Sequence, residues 1–346
     1  MRVPALHPPL AMEDNESLAP QGPAVLAFLR PVRWIGRHGS RAVALSLFVG
    51  MALPPLSALA KPLLPFAVFL LLLLAFLRIG LDRVVPWARR PRLVILATLW
   101  MQVAWPVLMG AGIWALGLKA AAPELALAVM IVAVAPPLMS APAFALLVGL
   151  DGSLSLAVLL AGLAAAPVLA PLMAELMLGA ALPLDTAEMA LRLAVLVAGA
   201  GIGALVLRRR LGEARIAGSA DLLDGLNVIV LFVFAVAIMD GVAMRFLVEP
   251  WLVLGLLGLT IALALAMAAV TWAVFRPAGA DRALVVALAV GNRNMGLMAA
   301  AMAAQLPEIA WILFAVGQLP IYMTPLLVQL AGRRLRRASS RGRHPA

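Results

Sequence analysis

The chain is a succession of apolar runs, each long enough to cross a lipid bilayer, separated by short basic connections. A helix needs about 20 apolar residues to span the hydrocarbon core. With that ruler the sequence divides into ten segments, roughly 42–60, 62–81, 92–118, 123–148, 153–180, 188–207, 222–243, 250–275, 280–304 and 308–331. Only Lys61-Pro62 parts the first two, so a re-entrant hairpin is an alternative there. Hydrocarbon offers backbone groups no partners, which predicts helices throughout. Composition agrees: 64% of residues are hydrophobic and 12% charged, against roughly 45–50% and 25% in soluble domains. The expected fold class is an all-α polytopic membrane protein.

Basic residues test the count. With a cytoplasmic N-terminus, 22 of the 27 Lys and Arg residues fall in inside segments. Lys61, Lys119, Arg192 and Arg245 fall outside, and Arg293 alone lies within a span. A missed or invented helix would scramble this alternation, because positive charge marks the cytoplasmic side. The formal charge of +11 is thereby read as membrane orientation, not as a nucleic-acid surface. Both termini are expected in the cytoplasm, with residues 1–40 a disordered tail, no cleaved signal peptide, and 332–346 a basic tail. Ala- and Arg-rich usage points to a bacterial inner membrane.

The chain has no Cys, and its three His residues (His7, His38, His344) all lie in the terminal segments. The spans hold no His, Cys or Lys, and their few acids sit near the ends. An intramembrane enzyme needs a nucleophile and base at common depth, so none is expected, and neither is a cofactor. No metal-binding spacing appears among the 17 Met residues.

Ten spans split five and five, as residues 41–181 and 186–331, joined near Leu182-Pro183-Leu184-Asp185. With an odd number per half, two related halves must face opposite ways, the inverted-repeat plan of many secondary transporters. Corresponding defects support the pairing. The fourth span contains Ala135-Pro136-Pro137-Leu138-Met139-Ser140-Ala141-Pro142, and three prolines in seven residues cannot hold a regular helix. The ninth contains Val290-Gly291-Asn292-Arg293-Asn294-Met295-Gly296. A Pro-kinked helix is the plain alternative for the fourth span. For the ninth it is weaker, since an intramembrane Arg is expensive and by default functional. Paired interruptions at matching places point to a transporter's binding site.

These segments resemble the bile acid/sodium symporter family. The stretch from Ala135-Pro136-Pro137 through Gly149-Leu150-Asp151-Gly152-Ser153-Leu154-Ser155 to Leu169-Ala170-Pro171-Leu172 looks like its fourth-helix break and following helix. Val290-Gly291-Asn292-Arg293-Asn294-Met295-Gly296-Leu297 is similar to its second signature, usually Glu-Val-Gly-Met-Gln-Asn-Ser-Gly-Leu. Arg90-Pro91 with Pro106-Val107-Leu108 resembles its third helix, and the likeness runs over about 42–331. It implies a panel of helices one, two, six and seven, and a core of three to five and eight to ten. Helices four and nine would cross at their breaks, with substrate beside the crossing.

The departures are specific. Ala289 stands where the family carries its sodium-binding Glu, and Arg293 where it has Gln. The fourth-helix Ser-Asn ligands fall on Ala141-Pro142. Ser155 matches one further ligand and Leu159 replaces another. The third-helix Gln falls on Met101, with Gln102 one place away. Hard cations need several oxygen ligands, so losing a carboxylate and gaining a guanidinium argues against sodium coupling. Ser155 and Gln102 are what would remain of an ion site.

Arg293 is then a built-in cation, favouring an anionic substrate held by charge-assisted hydrogen bonds. Asn292, Asn294 and Ser140 would add polar contacts, with Gln318 and Tyr322 of the tenth helix facing them. Pro136, Pro137, Pro142, Gly291 and Gly296 would shape the broken backbone. Equally, Arg293 serves only to satisfy carbonyls freed by the breaks. No carboxylate partner is expected for it, and Thr260 and Thr271 are read as interhelical hydrogen bonds. Asp151 is read as the N-cap of helix five. The leading expectation is a secondary transporter of a small organic anion that works without sodium. A sodium- or proton-coupled symporter, an exporter of the same fold, and a membrane receptor or sensor are the alternatives.

Overall fold

The computed structural model describes residues 45–79, 84–89, 91–179, 185–302 and 305–321. Every regular element among them is helical, apart from one isolated β-bridge. After a helix through 45–52, the elements in chain order begin with α1 (Pro54–Arg78), α2 (Arg92–Ala115) and α3 (Pro123–Val134). They continue with α4 (Ala141–Leu147), α5 (Gly152–Leu178), α6 (Thr186–Leu211) and α7 (Ala220–Ile238). Then follow α8 (Pro250–Phe275), α9 (Ala280–Gly291), α10 (Met295–Met302) and α11 (Glu308–Ile321). A short helix, Val242–Val248, extends α7 after a left-handed turn at Gly241.

Six helical runs among the described residues are long and apolar enough to cross a membrane: Pro54–Arg78, Arg92–Ala115, Gly152–Leu178, Thr186–Leu211, Ala220–Val248 and Pro250–Ala278. Their outward faces are apolar too, with Trp114, Trp251 and Leu247 exposed by 84%, 83% and 77%. Water penalises such a surface by about 25 cal/mol per Å2; lipid does not. These are helices of a membrane protein. Of the ten expected spans, the fourth and ninth are each divided into two short helices.

The first boundary differs from the sequence expectation. The helix breaks at Leu53, not at Lys61-Pro62, and α1 runs on through a 3-10 turn at Lys61–Leu63. The adjacent Pro54 and Pro55 cannot continue a preceding helix, whereas one proline at the start of a helical turn lacks only a donor that is unused there. The 3-10 turn absorbs Pro62.

Local chemistry sets the other ends. Asp151 starts α5 by accepting from the amides of Ser153 at 2.8 Å and Leu154 at 3.1 Å. Asp185 does the same for α6, from Ala187 at 2.9 Å and Glu188 at 3.0 Å. Side-chain acceptors of this kind satisfy helix donors that have no partner within the helix.

α6 and α7 pack on α1, while α5 packs on α6 as well as on α2, α3, α4 and α9, and α8 lies along α9. α10 reaches across to α1 and α6. Charges gather at the two ends. At one, Lys61 pairs with Asp240 at 2.9 Å and lies over Trp311, whose indole donates to the Asp240 carbonyl. At the other, Arg78 pairs with Asp224, and Arg208 donates to the carbonyls of Leu77 and Ile79 at the end of α1.

Candidate functional site

The two interruptions meet. Pro137 and Arg293 face each other in an isolated antiparallel bridge. The amide of Leu138 donates to the carbonyl of Asn292 at 2.9 Å, and the amide of Asn294 to the carbonyl of Pro136 at 2.8 Å. Pro137 has no N–H, but this pair takes its bonds from the flanking residues, so none is needed. A proline that would break a helix is at home here. Asn294 also caps α10, its Oδ1 accepting from the amide of Leu297 at 3.0 Å.

The Arg293 side chain is 2% exposed. Its Nη1 donates to the carbonyl of Ala135 at 2.9 Å and to that of Met101 at 3.3 Å, and Nη2 also reaches Met101 at 3.3 Å. Both acceptors have lost their helical partners. Ala135 lies just past the C-terminus of α3. Met101 sits in a π-helical stretch, Trp100–Ala104, within α2. There the amide of Trp105 bonds to Trp100, and the next donor in a π register would be Pro106, which has none. The guanidinium therefore fills a socket of carbonyls, with its charge against the C-terminal end of α3, where a cation is favoured.

Glycines let the elements close on this point. A Cβ on Gly162 of α5 would lie 2.6 Å from the Pro137 ring, and one on Gly291 would lie 2.9 Å from the carbonyl of Ala264. A Cβ on Gly296 would meet Phe234 of α7 at 2.6 Å. Gly291 and Gly296 thus serve close approach, not left-handed backbone.

Beside the bridge lies a cavity of about 140 Å3, lined among others by Thr260, Met267, Gly291, Asn292, Arg293 and Gly317. Asn292 is half-buried there, its amide donating to the carbonyl of Leu288 at 2.9 Å. Around the crossing several buried polar atoms have no partner among the described residues: Arg293 Nε, Asn294 Nδ2, Gln102 Oε1 and Ser155 Oγ. Gln102 meanwhile donates to the carbonyl of Gly162 at 3.1 Å. Ala289 is fully buried in α9.

The expected residues divide accordingly. Pro136, Pro137, Asn292, Arg293 and Asn294 come together, and Gln102 joins them through Gly162. Ser140, half-buried, and Pro142 begin α4 on the far side of the break. Gln318 is buried and turned onto its own helix, donating to the carbonyl of Phe314 at 3.3 Å. Tyr322 lies outside the described residues. Thr260, expected to bond between helices, bonds within its own, to the carbonyl of Leu256 at 2.9 Å, and lines the cavity. Thr271 does bond between helices, accepting from the indoles of Trp100 at 2.9 Å and Trp105 at 3.1 Å. The Ala135 carbonyl is one freed by the fourth-span break, the kind of partner expected for Arg293; the Met101 carbonyl was missed, because a carbonyl carries no residue signature. Pro106, five residues after Met101, was the available sign.

No protein-family model matches the chain, and no curated protein matches it either.

Proposed function

We propose that the chain is a secondary transporter of the bile acid/sodium symporter type, in which a fixed guanidinium stands where a coupling cation would bind. It moves a small organic anion by alternating access and works without sodium. The observation that carries this reading is the seat of Arg293 between the carbonyls of Met101 and Ala135, at the point where two broken helices exchange backbone bonds. Neutral oxygens around a buried positive charge are what a dehydrated cation requires. Here the protein supplies the charge itself.

Ten spans in two inverted halves accommodate the two interruptions as equivalents, and the packing of α6 and α7 on α1, with α5 gathering α2, α3, α4 and α9, suits a panel and a core that meet along α5 and α6. Arg293 raises the potential beside the cavity at Asn292, which favours an anion. The space there, about 140 Å3, suits a solute of a few heavy atoms. One observation favours the sodium-coupled alternative: Gln102 Oε1 and Ser155 Oγ are buried oxygens free to accept.

Uptake of small labelled carboxylates into proteoliposomes, run in sodium and in potassium at equal membrane potential, tests the reading. Equal uptake in both cations is expected. Uptake that requires a sodium gradient and is lost in Ser155→Ala would transfer the case to the coupled symporter.

A further inference from the structure

A second groove, sharing no lining residue with the cavity at the crossing, lies between α2 and the end of α8. Its volume is about 560 Å3. Leu93, Leu96, Trp100 and Val103 form one wall and Phe275 and Pro277 part of the other, and every lining residue is apolar. Trp100 holds the back of the groove in place: its ring packs edge-on against Phe275 at 6.2 Å, and its indole is tied to Thr271.

Charge flanks the groove. Arg92 precedes Leu93, and Arg276 lies between Phe275 and Pro277, so each arginine is the chain neighbour of residues that line it. Both are exposed, and neither has a carboxylate partner among the described residues. Arg276 stacks on Trp272 at 5.0 Å, which holds its charge near the surface. From Leu93 to Ala104 helix α2 rises about 16 Å, close to the roughly 15 Å of one leaflet's hydrocarbon. An apolar trough one leaflet deep, flanked by two cations without a carboxylate partner among the described residues, has the outline of a single phospholipid.

We infer that this groove binds an anionic phospholipid of the cytoplasmic leaflet, its acyl chain along Leu93–Ala104 and its phosphate between Arg92 and Arg276. Basic pockets between membrane helices on that side hold acidic headgroups by the same chemistry. Guanidinium groups suit phosphate because they present paired donors. The site stands whether or not the chain is a transporter, since it shares no residue with the crossing.

The test is native mass spectrometry of the full chain, purified from bilayers containing equal phosphatidylglycerol and phosphatidylethanolamine. Wild type should retain phosphatidylglycerol preferentially. R92A/R276A should lower its retention by about tenfold or more, since each arginine near an anionic surface is worth several-fold. R209A/R210A, which removes two exposed charges away from the groove, should retain it as wild type does. Val103→Trp keeps both arginines but fills the trough, and should lose the lipid as well. Equal retention of the two lipids by wild type overturns the proposal. So does equal loss in R209A/R210A, or undiminished retention in either R92A/R276A or Val103→Trp.

Discussion

Pro137 and Arg293 share the only β-bridge among the described residues, and each brings to it what the other lacks. Pro137 frees backbone by breaking a helix. Arg293 supplies a charged side chain that gathers the freed carbonyl of Ala135 together with that of Met101. The bridge and the guanidinium therefore act on three segments at once: α2, the fourth-span break and the ninth-span break. Removing the side chain should loosen all three.

Arg293→Met keeps much of the bulk and leaves two buried carbonyls without donors. A buried group deprived of its partner costs about 1–3 kcal/mol, so a loss of roughly 2–5 kcal/mol is expected. Lysine, a point charge on a flexible stem, cannot bridge both acceptors as a planar fork does, and Arg293→Lys should recover less than half of the loss. Reversible unfolding in mixed detergent measures both. Stability within about 0.5 kcal/mol of wild type in Arg293→Met, the usual effect of a surface substitution, would contradict the clamp.

Gly162 tests the same junction from α5. A methyl group there would lie 2.6 Å from the Pro137 ring, which is rigid, and 2.8 Å from the Met101 side chain. Overpacking of this kind costs about 1–3 kcal/mol. Gly258→Ala, in α8, meets nothing within 4 Å and should be neutral or slightly stabilising. Similar melting temperatures for Gly162→Ala and Gly258→Ala would show that α5 does not press on the bridge.

The broken helices were legible because proline, glycine and a lone mid-span Arg are chemically conspicuous. What they do to one another was not. The bridge joins residues far apart in the chain, and the sequence offers no register for so short a pairing. The carbonyl of Met101 was hidden for another reason: the π-helical stretch that exposes it lies in a run as uniformly apolar as its neighbours. The same uniformity misplaced the first helix boundary. Hydropathy around Lys61-Pro62 and around Pro54-Pro55 is alike, and only the steric effect of consecutive prolines separates them.

Thr271 offers a prediction at the other polar contact between α2 and α8. Its hydroxyl is fully buried and accepts from both Trp100 and Trp105. Thr271→Val keeps the shape and strands two indole donors. A cost of about 1–3 kcal/mol is expected, with a change in tryptophan emission, while Thr271→Ser should stay close to wild type. If valine and serine behave alike, the hydroxyl does not hold the two helices together.

Asp151 gives the chain a pH dependence that can be assigned a sign. Its partial burial would raise the carboxyl's pKa, but hydrogen bonds outweigh that: first the Ser153 hydroxyl, then the Leu154 and Ser153 amides. The carboxyl is thus held below its ordinary value, and the Ser153 hydroxyl in turn accepts from the indole of Trp87 at 3.0 Å. A group whose pKa is lower folded than unfolded binds its proton more weakly in the folded chain. Its contribution is therefore complete above the unfolded value, about 3.9, and is lost as pH falls through the folded one. At pH near 7, Asp151→Ala should cost about 1 kcal/mol through the lost cap. Asp151→Asn, itself a good cap, should cost a fraction of that. The gap between wild type and Asp151→Asn should then begin to narrow below about pH 4, and close once pH has fallen through the folded value, where both carry a neutral side chain. Thermal unfolding followed by circular dichroism from acid to neutral pH would check it. A gap that persists unchanged in acid would mean that the cap draws nothing from its charge.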